Sequence, residues 1–478
     1  MNLPAWTRDR LLWAIVAVAA VLRIAVAAWP VIHHSDELWQ YLEPARHVAG
    51  EPWIQTWEAR AGARGWLLPV LLAGPLAIGN GIAPGTMLGI FLARLPFVLL
   101  SLGAVVGAAG LGFRLSRAHG LIAGFVAAIW CELAYFGPRT LSEAIATSLF
   151  VIAAWLLLGE RRPRRLLTGG LLLGLCCVIR FQYAPAAMVL VPFVAGLRWR
   201  DWALLAAGGV GALLVSGIAD LAMGATPFLW IFRNLHLNLI ANRSATFGVS
   251  APHGYLGLLW GLWGLAAIPI VGLAIVGARR YPALMAVAVA NFVVHSAIGH
   301  KEYRFILLTN ALLLVLAAIG SVDVSRMITA PRRRLALIAA GWFALSVGTA
   351  ALGSAADEWG GNGQLIAAWH RTSQAPALCG VGLYRNHDPL IASYALLGRA
   401  VPIYQYDAAD APAAQRSRAF NLAIAPAPLG NELPGFHLLN CPDGRRRGMC
   451  VYARPGACSV DPDDQQREVN AVLARLDI

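Results

Sequence analysis

The sequence predicts an all-α polytopic membrane protein with a small soluble α/β domain at its C-terminal end. Three observations predict it. Of 478 residues, 58% are hydrophobic and only 13% charged, with a mean hydropathy of +0.61; a soluble domain carries about a quarter charged residues. Runs such as "LLWAIVAVAAVLRIAVAAWPVI" and "LGIFLARLPFVLLSLGAVVGAAGLGF" are long enough to cross about 30 Å of hydrocarbon. Polarity then rises after residue 354, where four of the seven cysteines lie.

The net charge of +13 is spread as short arginine clusters between apolar runs. That is the pattern of cytoplasmic loops, not of a nucleic-acid surface, so no nucleic acid is expected as a partner. The clusters are Arg8/Arg10, Arg114/Arg117, the arginines at 161–165, Arg198/Arg200, Arg279/Arg280 and the arginines at 326–334. If all face the cytoplasm, an even number of crossings separates each neighbouring pair, and two fit every time. The expected spans are 11–29, 88–112, 120–137, 140–158, 165–180, 183–197, 202–222, 255–277, 282–299, 304–321 and 335–353. About 11 transmembrane helices follow, with the N-terminus inside and the C-terminus outside. The first run lacks a small-residue cleavage site and reads as a retained anchor. The stretch 65–79 is short and carries Pro69 and Pro75, so it reads as a helix at the interface rather than a crossing.

Two domains result. Residues 1–353 form the membrane domain, with a first extracytoplasmic loop at 30–87, and residues 354–478 form an extracytoplasmic soluble domain. In the latter, "APALCGVGLY" and "AVPIYQYD" read as strands around a helix-like "PLIASYALLG". "FHLLNCPDGRRRGMCVYARPG" reads as a hairpin. Cys131, Cys176 and Cys177 lie in apolar runs, whereas Cys379, Cys441, Cys450 and Cys458 suggest disulfides in an oxidising compartment, with the pairing open.

This topology places residues 30–87, 223–254, the tail and the turn "HKEYRF" at 300–305 on one side of the membrane. The first loop sets Asp36 and Glu37 among Trp39, Tyr41, Trp53, Trp57 and Trp66, interleaved with Gln40, Glu43, Arg46, His47, Glu58, Arg60 and Arg64. A carboxylate at a dry aromatic edge is desolvated, and the raised pKa suits a general base. A continuous helix over 36–48 would line up Asp36, Gln40, Glu43 and His47 on one face. "HKEYRF" supplies the opposite charge. Lys301, the only lysine in the chain, joins His300 and Arg304 on the side that the positive-inside rule leaves poor in cations. A Lys point charge, an Arg fork and a His suit a phosphate oxygen, with Glu302 orienting them. A plain helix-end cap is the competing explanation. Arg180 lies at an outer helix end, and Arg139 and Glu143 stand four residues apart, as a helical ion pair or as part of the site. No metal or nucleotide motif is present, and no cofactor is expected.

"HKEYRF" resembles the H-K-E-x-R-F signature of the glycosyltransferase family 22 mannosyltransferases, which act in GPI-anchor and N-glycan synthesis. Asp36-Glu37, Trp39-Gln40, Glu43, "TWE" at 56–58, Arg60 and Arg64-Gly65-Trp66 resemble the first loop of that family, and "RTLSE" at 139–143 resembles its third conserved stretch. The likeness runs over about residues 30–310 and leaves the tail uncovered. His34-Ser35 replaces the family's His-Pro, and Gly65 replaces its Ser, while both carboxylates stay in place. The resemblance implies a GT-C fold and a polyprenyl-phosphate mannose donor. It implies Asp36 as base with Glu37 assisting, and His300, Lys301, Glu302, Arg304 and Arg180 at the donor phosphate. Gln40, Trp57, Glu58, Arg64, Arg139 and Glu143 are then expected at the substrates. The expected partners are the lipid donor, a glycan or glycolipid acceptor and the bilayer. A bacterial inner membrane with a periplasmic active face fits, as does the equivalent lumenal face of the endoplasmic reticulum. A transporter or flippase of lipid-linked sugars is the alternative; it calls for ionisable groups near the bilayer midplane.

Overall fold

The computed structural model describes residues 5–325, 331–354, 359–360, 362–385, 392–429, 432–441 and 448–477. Part of the arginine cluster at 326–334, the start of "PLIASYALLG" and the "PDGRRRG" loop lie outside the described residues. Six described helices are long and apolar enough to cross a membrane: Arg10–Ala28, Leu88–Phe113, Trp199–Ala222, Gly254–Ala278, Tyr303–Val324 and Arg333–Leu352. The five other expected spans are the shorter helices Arg117–Ile129, Ser142–Leu157, Pro163–Ile179, Ala184–Ala195 and Pro282–Ala297. The chain is a polytopic helical membrane protein with a small C-terminal sheet. The stretch expected at the interface is the helix Leu67–Ile82, with Pro75 inside it.

The described chain divides into two compact units, Met1–Ala27 with Arg94–Ala356, and Ala28–Ala93 with Asp357–Ile478. In the first unit, the span Tyr303–Val324 is the central helix: 89% of it is buried, against at most 44% of any other long span. Helices Arg117–Ile129, Ser142–Leu157, Ala267–Ala278 and Pro282–Ala297 pack around it. Its contact with Ala267–Ala278 depends on Gly277 and Gly320, where a Cβ would run into the carbonyls of Leu316 and Leu273. Small residues are what let membrane helices approach this closely.

Several helices of this unit are broken, and the breaks hold its polar groups. Trp130 leaves helical geometry with ψ 123° between Arg117–Ile129 and Cys131–Phe136. The carbonyls of Ala127 and Ala128, freed at that helix end, each accept from the buried Arg23 guanidinium at 2.9 Å. Arg180 breaks the chain after Ile179, and Ile298 after Ala297. Gly264, with φ 52°, interrupts the long span 254–278. Backbone of this kind is tolerated at membrane depth only where protein or a cavity satisfies it.

The second unit holds a five-stranded sheet in the order β2-β1-β3-β5-β4: β1 Val381–Tyr384, β2 Ile403–Tyr406, β3 Leu422–Ala427, β4 His437–Asn440 and β5 Gly448–Ala453. Strands β2, β1 and β3 are parallel, and β1 and β2 are buried along their whole length, as parallel strands covered on both faces must be. Strands β4 and β5 form the expected antiparallel hairpin. Strand β3 was not anticipated: "LAIAPA" has no polar alternation, and its proline, Pro426, argues against a central strand. Disulfides Cys379–Cys458 and Cys441–Cys450 staple the unit.

The first disulfide spans 79 residues and the second 9. By loop-closure entropy they restrict the unfolded chain by roughly 4–5 and roughly 2–3 kcal/mol. Replacing Cys379 and Cys458 by serine is therefore expected to lower the unfolding midpoint more than replacing Cys441 and Cys450, as denaturation of the purified protein would measure.

Candidate active site

"HKEYRF" occupies the connection between Pro282–Ala297 and Leu307–Val324. Ile298 is extended, residues 299–302 are irregular, and a tight 3-10 turn covers Tyr303–Ile306. The His300 ring meets the Gly248 carbonyl at 3.1 Å through Nδ1 and Glu302 Oε1 at 2.9 Å through Nε2. With an acceptor at each nitrogen, the charged imidazolium is favoured. The Glu302 hydrogen bond raises the His300 pKa above its ordinary value against the opposing effect of burial. Arg304 Nε donates to the other Glu302 oxygen at 2.6 Å, and Arg304 Nη1 lies 3.6 Å from Glu143 Oε1. Arg180 Nη1 lies 2.9 Å from the same Glu143 oxygen. Both guanidinium groups sit over the Phe305 ring, at 4.7 Å for Arg180 and 5.4 Å for Arg304.

His300, Glu302, Arg304, Glu143 and Arg180 thus form one network. It is graded in depth: the Glu143 and Arg304 side chains are 2% exposed, while those of His300 and Glu302 are 16% and 24% exposed. Lys301 faces elsewhere. Its ammonium donates to the Ser296 carbonyl at 3.0 Å and to that of Ile298, and lies 5.4 Å from the centre of the Tyr255 ring. Here it caps the helix Pro282–Ala297, the competing explanation offered by the sequence, and burial lowers its pKa. Arg139 is buried with its guanidinium 4.4 Å from the Tyr135 ring centre. Tyr255, which the sequence reading passed over, is buried within the electrostatic reach of Arg180, Glu302 and Glu143.

The carboxylate loop belongs to the second unit. Residues 36–48 do not form one continuous α-helix: Glu37–Leu42 is a π-helical segment that passes into the α-helix Glu43–Val48. The wider turn breaks the three- and four-residue spacing, so the four polar residues expected on one face meet different surroundings. Asp36 Oδ1 lies 3.4 Å from His34 Nδ1, and Glu37 Oε1 accepts from the His33 amide at 2.7 Å. Gln40 lines a pocket with Trp39, Trp53, Glu58, Arg64 and Trp66. His47 stacks on Trp53 with ring centres 4.8 Å apart. Arg64 donates to Glu58 at 2.6 Å; burial opposes its charge, but Glu58, Tyr41 and Asp36 hold its pKa above the ordinary value. Arg64 therefore shares an electrostatic environment with Asp36. Trp57 is buried at the start of the short helix Trp57–Arg60.

Glu43 has a role that its spacing did not indicate. Its oxygens accept from Ser393 Oγ at 2.7 Å, the Ala395 amide at 2.8 Å and the Ile54 amide at 2.9 Å. Desolvation raises its pKa, partly opposed by Arg46. Trp39 Nε1 donates to the Ala392 carbonyl at 3.0 Å, and Asn470 bonds both the Gln55 amide and the Trp53 carbonyl. Within this unit the tail is the scaffold of the carboxylate loop.

A family model described as the Alg9-like mannosyltransferase family matches residues 13–356. The chain belongs to that family. Its fold is the GT-C fold. The structure is similar to that of ArnT from Cupriavidus metallidurans bound to undecaprenyl phosphate, with a TM-score of 0.62 and 13% identity over 96% of this chain and 100% of that one. ArnT in the apo state matches with a TM-score of 0.59 and 13% identity over 92% and 97%. An Archaeoglobus fulgidus oligosaccharyltransferase matches with a TM-score of 0.51 and 12% identity over 96% and 76%. No curated protein sequence matches the chain. The family makes the chain a membrane glycosyltransferase of lipid-linked sugars.

Glu43→Ala would strand two buried amides, each costing about 1–3 kcal/mol. The variant is expected to lose roughly 2–6 kcal/mol in the second unit, read as a lower unfolding midpoint together with faster amide exchange at Ile54 and Ala395.

Proposed function

We propose that this chain is an inverting mannosyltransferase that moves a mannosyl group from polyprenyl-phosphate mannose to an extracytoplasmic glycan or glycolipid acceptor. The observation that carries the reading is the ion network at "HKEYRF". Arg180 and Arg304 are set against two carboxylates, Glu143 and Glu302, and His300, biased toward its charged form, adds a further positive charge. That excess of positive charge at a helix-end turn suits the phosphate of a donor whose lipid tail lies in the bilayer.

In this reading the acceptor hydroxyl attacks the anomeric carbon on the face opposite the phosphate. The new C–O bond forms as the bond from the anomeric carbon to the phosphate oxygen breaks. The hydroxyl proton passes to Asp36, and Glu37 positions the sugar. The bonding pair leaves with the lipid phosphate, whose charge goes from one negative to two. Arg180, Arg304 and His300 stabilise that gain, so no acid is needed to protonate the leaving group. Gln40, Glu58 and Arg64, walled by Trp39, Trp53 and Trp66, form a surface suited to a sugar ring. In this reading Trp57 belongs with the sugar surface of the second unit, and Arg139 and Glu143 with the cations of the first. The active face is extracytoplasmic, which for a bacterial cell is the periplasmic face of the inner membrane.

The test is transfer of radiolabelled mannose from synthetic polyprenyl-phosphate mannose, with membrane extract as acceptor source. Wild type is expected to transfer, and Asp36→Asn to lose about 10²- to 10⁴-fold in kcat while still binding the lipid phosphate. Equal transfer by both removes Asp36 as base. Lipid binding without transfer by wild type favours the transporter reading.

A pH dependence follows from His300. Because its pKa is raised in the folded protein, the imidazolium–Glu302 contribution to stability is complete below about pH 6.5 and is lost as pH rises through the higher folded value. The same loss of charge weakens phosphate binding. The KM for donor is expected to rise roughly three- to tenfold across that step, and His300→Gln is expected to flatten the profile.

A further inference from the structure

Glu132 sits two residues past the break at Trp130, in the first unit, and is fully buried. Four groups surround its carboxylate. Oε2 accepts from Trp130 Nε1 at 2.8 Å and from Trp263 Nε1. Oε1 accepts from the Tyr303 hydroxyl and from Asn310 Nδ2 at 3.1 Å. Asn310 Nδ2 also donates to the Tyr303 oxygen at 2.8 Å, which leaves the tyrosine proton for Glu132. All four groups can donate, and together they fill the acceptor positions of the Glu132 carboxyl. None is a cation. A buried acid with only neutral partners inside a membrane protein is costly, and such residues usually serve function.

The donors come from four separate places: the Trp130 break, the end of the helix Gly254–Trp263, the turn "HKEYRF" and the central helix Leu307–Val324. Tyr303 is the member of "HKEYRF" that meets Glu132. It stands between Glu302 and Arg304, whose side chains meet each other at 2.6 Å in the phosphate network. The turn backbone is also held by the Ser250 amide on the Gly299 carbonyl and the Phe305 amide on the Glu302 carbonyl. Holding the Tyr303 ring fixes the backbone from which both neighbours project.

We infer that Glu132 is a positioning residue for the donor phosphate: through the Tyr303 hydroxyl its carboxylate fixes the turn that presents Glu302 and Arg304. This rests on the reading of that turn as the phosphate site. Glu132 touches neither substrate nor reacting atom.

The experiment uses the purified full chain in lipid nanodiscs and compares wild type, Tyr303→Phe, Glu132→Gln and the double variant. Amide exchange of the segment 299–306 is measured alongside kcat and KM per folded molecule. Tyr303→Phe is expected to speed exchange in that segment about tenfold and to raise donor KM five- to twentyfold, with acceptor KM unchanged. The double variant is expected to be no worse than Glu132→Gln alone, because both substitutions break one link. Glu132→Gln sets an amide against two donors and could fail to fold; Tyr303→Phe keeps the test open. Unchanged exchange in Tyr303→Phe overturns the inference, whatever the activity. Faster exchange with wild-type donor KM also overturns it, by reducing Glu132 to a structural pin. Arg304→Gln reports separately on the phosphate reading: if its donor KM equals that of wild type, that reading fails even where the turn proves to be pinned.

Discussion

One carboxylate between two guanidinium groups organises the first unit. Glu143, at the start of the helix Ser142–Leu157, meets Arg180 at the break after Ile179 and Arg304 in the turn after Ile298. Three chain segments far apart in sequence are thereby held at one point. Taking such charges out of water costs several kcal/mol each, and only close pairing offsets that. Removing Glu143 would take the carboxylate from Arg180 and leave Arg304 with Glu302 alone, whereas removing either arginine would leave Glu143 paired with the other. The arrangement is therefore more sensitive at the acid than at the bases. Glu302, shallower and shared by His300 and Arg304, carries the network outward to where an anion can arrive.

The broken helices follow from the same constraint. A continuous helix satisfies its own backbone and presents only side chains, whereas a helix end brings free carbonyls and amides together with the side chain at the break. Arg180 is itself a breaking residue, and the Ile298 break is capped by Lys301. At the Trp130 break the carbonyls go to Arg23 and the indole goes to Glu132. Shortened spans such as Arg117–Ile129 are thus the geometric counterpart of a polar site cut into an apolar bundle.

Much of this was legible in the sequence because the signals were local. Composition, run length and arginine spacing marked each helix of the bundle, and the charges of "HKEYRF" stand out in a chain with a single lysine. What escaped depended on distant partners. Glu132 is one acid in the apolar "IWCELAYF", and nothing near it in sequence names Trp263, Tyr303 or Asn310. Glu43 matched the expected helical spacing, yet its partners at 393 and 395 lie some 350 residues away. A π-helical turn keeps the composition of an α-helix and changes only the register, so Glu37–Leu42 left no trace. The disulfide pairing was open for the same reason, since four cysteines allow three connectivities.

The balance of charge at "HKEYRF" bears on which step of a transfer reaction such a site favours. A sugar phosphodiester carries one negative charge and the departing lipid phosphate two. Two guanidinium groups and a charge-biased imidazole against two carboxylates leave a positive excess that stabilises the second more than the first. A site complementary to the later charge lowers the barrier to bond breaking more than it tightens ground-state binding. The same preference holds the product, so release of the lipid phosphate becomes slow unless something competes for the cations. Glu302 is placed to do so: it bridges His300 and Arg304, and it is the more accessible of the two carboxylates. If "HKEYRF" holds a phosphate as proposed, an acid inside it has a physical reason to be there, since it can take back the cations that a departing phosphate gives up.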